Sequence, residues 1–227
     1  MQLLAGMLIL GLLFLLIVTG ISAIPTILFV LNPDSMRYSF DDPAEEQERL
    51  SRSADLREWT GRLREMGFSL LGVKAERLPL WGRAYREAAL VSRAAEMYAS
   101  IVLDPANGPA SIYFYTPLEN GGMVFTRNHP HGRETETETV TVKNIPSKDF
   151  REVMDSHEER LRVFLDRGWR PVIGSGPEAR IEATRLFYQS SYARQPILYL
   201  SSAGIPVFVF SIVSILALVV WNLLVLR

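Results

Sequence analysis

The sequence contains no cysteine and only three histidines, and its charges nearly cancel. Without cysteine, the chain can form neither a disulfide scaffold nor a thiolate nucleophile. Its 24 Lys and Arg against 25 Asp and Glu give a formal charge of -1, so the overall charge gives no reason to propose nucleic-acid binding. We therefore expect no nucleic-acid partner.

Charge is also missing from two long stretches, 1–31 and 195–226, which contain no Asp, Glu, Lys or Arg. A helix of about 20 apolar residues crosses a hydrocarbon layer of about 30 Å. The first stretch is longer than that, so we expect a span over Leu3–Ile24, with Pro25–Leu31 as a continuation at the interface. The second stretch predicts a span over Pro206–Leu226. This pattern argues against a simple soluble enzyme.

These stretches predict a transmembrane helix in 1–31, one compact domain in 32–200 and a second transmembrane helix in 201–227. A cleaved signal peptide is the alternative for the first segment, because Gly20-Ile21-Ser22-Ala23 resembles a cleavage site. The segment nevertheless lacks a basic n-region and is about twice as long as the apolar part of a signal. We therefore expect a retained anchor.

Two spans place both termini on one side of the membrane. In architecture alone the chain resembles small membrane-anchored bacterial proteins, so we expect a bacterial inner membrane. Arginines near the ends of the domain favour a cytoplasmic domain by the positive-inside rule; they are Arg37, Arg49, Arg185 and Arg194. The acidic stretch after the first segment favours the other side, and the rule weakens for long loops.

The second span carries Ser211, Ser214 and Ala217 at a spacing of three residues. Small side chains let membrane helices approach closely, so this stripe predicts a docking face for the first span or for another subunit. The alternative is that small residues are simply common in membrane helices.

The middle domain begins with a predicted helix from Asp42 to near Gly67, because Asp is a good N-cap and apolar residues then recur at helical spacing. Between Phe68 and Asn144, short apolar and β-branched runs alternate with turn residues, and Asn120-Gly121 is a strong hairpin signal. Strands this close in sequence predict an antiparallel meander.

The last predicted strand, TETETVTV at 135–142, is polar on both faces over its first half and should form an exposed edge. A helix is predicted from Ser147 to Gly168, and another from Pro177 to Ala193. The order of elements predicts an α+β fold, with an antiparallel sheet in one layer packed on helices in the other.

The histidines raise the question of a metal site. His129 and His131 lie in one strand connection with Glu134 close by, and His157 lies on the apolar face of a predicted helix. Imidazole and carboxylate groups are common metal ligands, so a metal-dependent hydrolase using His129, His131 and His157 is one hypothesis. The alternative is two loop histidines and one packing histidine.

An aromatic strand offers a different site, because Tyr113 and Tyr115 share one face of the sheet. A cleft in which polar groups converge on these tyrosines, Arg127 and His129 would be a ligand-binding site. The alternative is that the tyrosines simply fill the middle of the sheet.

Catalytic signatures are missing, since there is no G-x-S-x-G and Gly174-Ser175-Gly176 lacks the lysine and spacing of a phosphate-binding loop. We therefore predict no catalytic residue and no cofactor. The first functional expectation is a non-enzymatic accessory or assembly subunit of a larger membrane complex, bound to another membrane protein or to a second copy of itself. A membrane-tethered ligand-binding or sensor domain is the alternative, and the hydrolase is the third.

Overall fold

A computed structural model describes residues 2–82, 84–106, 108–190, 192–193 and 205–225. The described residues form two compact units. The first unit takes those of 1–37, 78–83 and 195–227, and the second takes those of 38–77 and 84–194.

The first unit is built on two apolar helices, α1 over Gln2–Leu31 and α6 over Ile205–Val225. They pack closely, because a side chain added at Gly20 would lie 3.1 Å from the ring of Phe208. A bulkier residue at position 20 would therefore require the Phe208 ring to shift by a few tenths of an ångström, as expected where small residues let helices approach closely.

The predicted docking stripe on α6 is only partly enclosed. Ser211 is fully buried and its hydroxyl donates to the carbonyl of Val207 at 2.8 Å, whereas Ser214 is half-buried and Ala217 is exposed. Ser211 is therefore the most enclosed of the three stripe residues.

No single helix among the described residues is long and apolar enough to cross a membrane. Two segments of α1, Leu10–Ile21 and Ala23–Leu31, are together long and apolar enough to cross a membrane, but the helix axis bends by 52° between them. Pro25 accounts for the bend, because it cannot donate a helical hydrogen bond to Ile21. The predicted spans stay predictions, and Leu226, the end of the second one, lies outside the described residues.

The second unit contains an eight-stranded sheet in the order β1-β2-β3-β4-β5-β6-β8-β7. The strands are β1 Arg37–Phe40, β2 Ser69–Arg77, β3 Ala84–Ser92, β4 Met97–Leu103, β5 Pro109–Pro117, β6 Met123–Arg127, β7 Thr135–Glu136 and β8 Val140–Asn144. Pairing is antiparallel from β2 through β6, as the meander predicts.

The sheet is mixed, and here the prediction of a wholly antiparallel sheet is wrong. The segment 135–142, predicted as one strand, is a tight hairpin in which the Thr137 hydroxyl accepts the Val140 N–H at 2.9 Å. This turn reverses the chain, so that β8 returns beside β6 and runs parallel to it, and β7 becomes the outer edge. Threonine has a high β propensity, which would extend the strand. Here its hydroxyl takes the place of a backbone acceptor and so ends the strand.

Among the described residues, four α-helices accompany the sheet: α2 Pro43–Arg52, α3 Ala54–Glu65, α4 Phe150–Asp166 and α5 Pro177–Gln189. The predicted start at Asp42 is confirmed, since its carboxylate accepts the Ala44 N–H at 2.9 Å. The single helix predicted from there to Gly67 is broken at Ser53, which has an extended backbone and caps α3 through the Leu56 N–H. Asp149, rather than Ser147, caps α4.

Helices lie on both faces of the sheet, which corrects the prediction of two layers. The face toward α3 and α4 is apolar, with a core of Leu56, Leu63, Val73, Ile101, Phe114, Phe150 and Val153. Because side chains alternate along strands, the residues between these point to the other face, where α5 lies. That second face carries polar and aromatic side chains, and it positions the candidate site.

Candidate ligand-binding site

A buried ion cluster lies between the sheet and α5. Lys74 of β2 and Glu87 of β3 are direct partners across the two strands, so their side chains share the α5 face. The Lys74 ammonium is fully buried and lies 2.9 Å from Glu87 Oε1 and 2.6 Å from Glu76 Oε1. It also donates to the hydroxyl of Thr184 on α5. A buried lysine is tolerated here because two carboxylates and a hydroxyl surround it.

Arg180 of α5 completes the cluster from above the sheet. Its side chain is 1% exposed, and its Nη2 donates to Glu87 Oε1 at 2.8 Å, to the Tyr113 hydroxyl at 2.7 Å and to the Ser100 hydroxyl at 3.1 Å. One helical turn later, the Thr184 hydroxyl accepts from Nη1 at 2.8 Å. The Tyr113 hydroxyl in turn donates to Glu87 Oε2. Four hydrogen bonds therefore hold the guanidinium group in place.

Aromatic rings surround the same guanidinium. Its carbon lies 5.2 Å from the centre of the Tyr98 ring, 5.8 Å from that of Tyr115 and 6.0 Å from that of Tyr113. Cations at these distances are attracted by the ring faces, and the attraction grows when water is excluded. The Arg180 Nε nevertheless has no hydrogen-bond partner among the described residues. One buried donor of the cluster is thus left over.

The cluster holds fixed charges. Burial alone raises the pKa of Glu87, but Lys74 and Arg180, with hydrogen bonds from Tyr113 and Lys74, outweigh it and lower that pKa to about 2. Burial raises the pKa values of the Tyr113 and Tyr115 hydroxyls, and nearby tyrosines and carboxylates hold the pKa of Arg180 above its usual range despite burial. These groups do not change protonation near neutral pH, so they suit recognition better than proton transfer.

A cavity of about 210 Å³ opens onto this cluster. Its polar part is formed by Glu76, Glu87, Arg180 and Thr184, and its aromatic part by Tyr85, Tyr113, Tyr115, Phe125, Phe187 and Tyr188. The rings of the aromatic wall pack against one another. The ring centres of Tyr113 and Phe125 lie 4.8 Å apart in a stacked arrangement, and those of Phe125 and Phe187 lie 5.4 Å apart. A cavity of about 150 Å³ is known to admit benzene, so this one can hold a ligand with one aromatic ring.

The predicted ligand residues are only partly brought together. Tyr113 and Tyr115 both line the cavity, whereas Arg127 and His129 do not. Arg127 pairs with Tyr113 across β5 and β6, but its Nε donates to Asn144. His129 lies exposed in the connection after β6 and contacts the backbone carbonyl of His131.

The three histidines do not form a metal centre. His157 is fully buried, with its Nε2 at 3.0 Å from the Thr116 hydroxyl and its Nδ1 at 3.1 Å from the Thr126 hydroxyl. Burial, with a smaller contribution from Arg160, lowers its pKa to about 3. In the part of the chain that the structure describes, no three His, Cys, Asp or Glu side chains could hold a metal ion together. The metal-site hypothesis therefore lacks the convergence of ligands that it requires.

Sequence reasoning missed the charged half of the cavity. Glu87 lies in a predicted strand without an assigned role, whereas Lys74 and Glu76 fall just after another predicted strand. Arg180 lies in a predicted helix that has charges on several sides. A signal was nonetheless present, since Lys74 and Glu76 are two residues apart and so share one face of a strand. Comparisons with known protein families, curated proteins and solved structures found no match for this chain.

Proposed function

We propose that this chain is a non-catalytic, membrane-anchored protein whose α+β domain binds a small uncharged aromatic molecule. The observation that carries the proposal is the cavity in which a rigid charged cluster meets an aromatic wall. Pockets of this composition, mostly apolar with a few convergent polar groups, are the usual form of small-molecule sites.

The charges of the cluster indicate what kind of ligand fits. Lys74 and Arg180 are balanced by Glu76 and Glu87, so an ionic ligand would upset a neutral, buried arrangement. The unpartnered Arg180 Nε favours a ligand that carries a hydrogen-bond acceptor beside its ring. A phenol-like molecule meets both conditions, because it is uncharged and its hydroxyl oxygen accepts a hydrogen bond.

The binding test uses one variant that fills the cavity and one matched variant that does not. Val102 lines the cavity, so Val102→Trp should occupy it, whereas Val163 is 47% exposed on α4 and Val163→Trp serves as the control. Purified full-length protein in detergent is titrated with phenol, and bound ligand is detected by saturation-transfer NMR. We expect binding to wild type and Val163→Trp and its loss in Val102→Trp. Absence of binding to wild type, or equal binding to Val102→Trp, would contradict the proposal.

The anchoring part of the proposal is two membrane spans in a bacterial inner membrane, with the domain on the cytoplasmic side. Its support is the absence of charge from 1–31 and 195–226 and the exposure of large apolar side chains on both helices, such as Phe14 at 70% and Phe210 at 64%. Water would disfavour such surfaces, whereas lipid would not.

A second candidate function is an accessory or assembly subunit of a larger membrane complex. The same exposed apolar surface of α1 and α6 favours it, since a membrane-protein partner or a second copy could cover this surface as well as lipid does. Extraction of the native protein in mild detergent, size separation and mass spectrometry test it. A stoichiometric partner set is expected, and a lone monomer would contradict it.

A further inference from the structure

The connection between β2 and β3 carries two large apolar side chains at its tip. Leu80 is 52% exposed and Trp81 is 57% exposed. Residues 78–82 of this connection belong to the first unit, together with α1 and α6, although the strands that flank it belong to the second. Exposed apolar side chains that adjoin a larger apolar surface are typical of sites that contact a protein or a membrane.

The backbone of the connection is built to present this pair. Leu80 has φ +60°, a left-handed conformation that a residue with a branched side chain adopts at a cost. The Gly82 N–H donates to the Pro79 carbonyl at 3.2 Å. A Cβ at Gly82 would lie 2.3 Å from Leu78 Cβ, so only glycine closes this turn. The turn therefore fixes the tip in place.

Trp81 is also tied to the bend in α1. Its indole N–H donates to the Ile21 carbonyl at 2.7 Å. Pro25 follows Ile21 by four residues and has no N–H, so it cannot supply the helical hydrogen bond that this carbonyl would otherwise accept. In a lipid environment an unsatisfied carbonyl is costly, and the indole supplies the missing donor.

We propose that the Leu80–Trp81 tip inserts into the interfacial layer of the lipid bilayer as a third point of attachment beside α1 and α6. The inference rests on the proposed membrane span of α1. The stretch Gln2–Ile21 rises by about 30 Å, close to the thickness of the hydrocarbon layer, so Ile21 lies near one interface. Tryptophan prefers this depth, where its ring is buried and its N–H is bonded.

Lipid is the occupant that the neighbouring surface favours. On the same stretch of α1, the side chains of Ile17, Val18 and Ile21 are 64%, 49% and 57% exposed. The apolar tip therefore continues the apolar surface of a helix that is itself proposed to lie in the bilayer.

The absence of cysteine allows a site-specific test in the full-length chain. Leu80→Cys is labelled with an environment-sensitive NBD fluorophore and reconstituted into phosphatidylcholine vesicles that carry a nitroxide either at the headgroup or deep in the acyl chain. Phe14→Cys, in α1, is the control for the span, and Val163→Cys, on α4, is the control outside it. We expect a blue shift at Leu80→Cys, with stronger quenching by the headgroup nitroxide, and deep quenching at Phe14→Cys.

The outcomes separate this inference from the span on which it rests. Quenching at Phe14→Cys without quenching at Leu80→Cys would overturn the inference and leave the span standing. No quenching at either site would overturn the span itself. Quenching at Leu80→Cys that equals the quenching at Val163→Cys would show only nonspecific approach to the vesicle and would also overturn the inference.

Discussion

At the scale of single residues, Glu87 is the centre of the buried ion cluster. Its carboxylate accepts hydrogen bonds from four side chains, those of Arg180, Lys74, Ser100 and Tyr113. Substitution Glu87→Gln keeps the shape but leaves two buried cations with one carboxylate. We expect the free energy of unfolding of the full-length protein to fall by about 3–5 kcal/mol, as when one partner of a buried ion pair is removed. Urea unfolding followed by near-UV circular dichroism measures it.

The control for Glu87→Gln is the same chemical change at a surface ion pair. Glu134 lies within reach of Lys143, and the two side chains are 40% and 38% exposed. Glu134→Gln should cost less than about 1 kcal/mol, since solvent screens such pairs. Equal losses of unfolding free energy in the two variants would show that burial does not increase the contribution of the cluster to stability.

His157 predicts a specific dependence of stability on pH. Its pKa is about 3 in the folded protein and 6.5 as the ordinary value, so acid protonates the unfolded chain first. Stability should therefore fall as pH is lowered from 6.5 toward about 3. Glu87, with its pKa lowered from 4.5 to about 2, contributes a further loss only below 4.5. Burial raises the pKa of Glu46 above 4.5, and this shift favours the folded state as pH falls, so the loss expected above 4.5 is assigned to His157.

The variant His157→Gln keeps a group that can bond to the two threonines but does not titrate. We expect its unfolding midpoint to change less than that of wild type between pH 6.5 and 4.5, the ordinary values of histidine and Glu87. His129→Gln, which removes an exposed histidine, should keep the wild-type slope. A wild-type slope in His157→Gln would contradict the assignment.

Prediction from sequence works at this scale for apolar positions and fails for polar ones. The helical spacing of Phe150, Val153 and Leu161 correctly indicates a buried face of α4. Arg180 and Thr184 are also buried, but nothing in a helix with charges on several sides marks which of them faces the sheet. Burial of a charge depends on its partners, and Arg180 and Glu87 are 93 residues apart in the chain.

At the scale of elements, strand β2 depends on a glycine at its bulge. The pairing of β2 with β3 shifts between Leu70 and Gly72, where φ is +134° and an added Cβ would lie 2.9 Å from the ring of Phe40. We expect Gly72→Ala to lower the free energy of unfolding by about 1–3 kcal/mol through backbone strain and overpacking. Thermal unfolding of the full-length protein measures it.

The matched variant is Gly61→Ala in α3, where an added Cβ would meet nothing within 4 Å. Alanine is the better helix former by about 0.5–1 kcal/mol, so this variant should unfold at a higher temperature. The same substitution is thus expected to have opposite signs at the two sites. If both variants were less stable than wild type, the loss of glycine itself, rather than the local geometry at Gly72, would explain the change in stability.

Element types were easier to predict than element boundaries. Asp42 and Asn120-Gly121 lie where a helix start and a turn were predicted, because capping and left-handed turns depend on local chemistry. The break at Ser53 and the reversal at Thr137 also use side-chain hydrogen bonds, but a helical or alternating pattern continues through both. Patterns of hydrophobicity alone therefore join elements that a hydroxyl group separates.

At the scale of the whole molecule, the sequence predicts an α+β domain and the structure has one, with a large mixed sheet packed on helices. The parallel pairing of β6 with β8 was beyond prediction, since it depends on where the chain goes after Arg127 and not on the composition of either strand. The apolar ends were evident from the sequence, whereas the bend at Pro25 divides the first of them.

The proposed spans make a prediction about which parts of the chain share a side of the membrane. Two crossings place positions 2 and 227 together and the domain opposite, and the positive-inside rule places the domain in the cytoplasm. In intact cells, a membrane-impermeant maleimide should label Gln2→Cys and Arg227→Cys but should label Val163→Cys only after permeabilisation. The chain has no other cysteine, so each label reports one site. Labelling of Val163→Cys alone would keep both spans and reverse the side, whereas joint labelling of Gln2→Cys and Val163→Cys would mean that α1 does not cross.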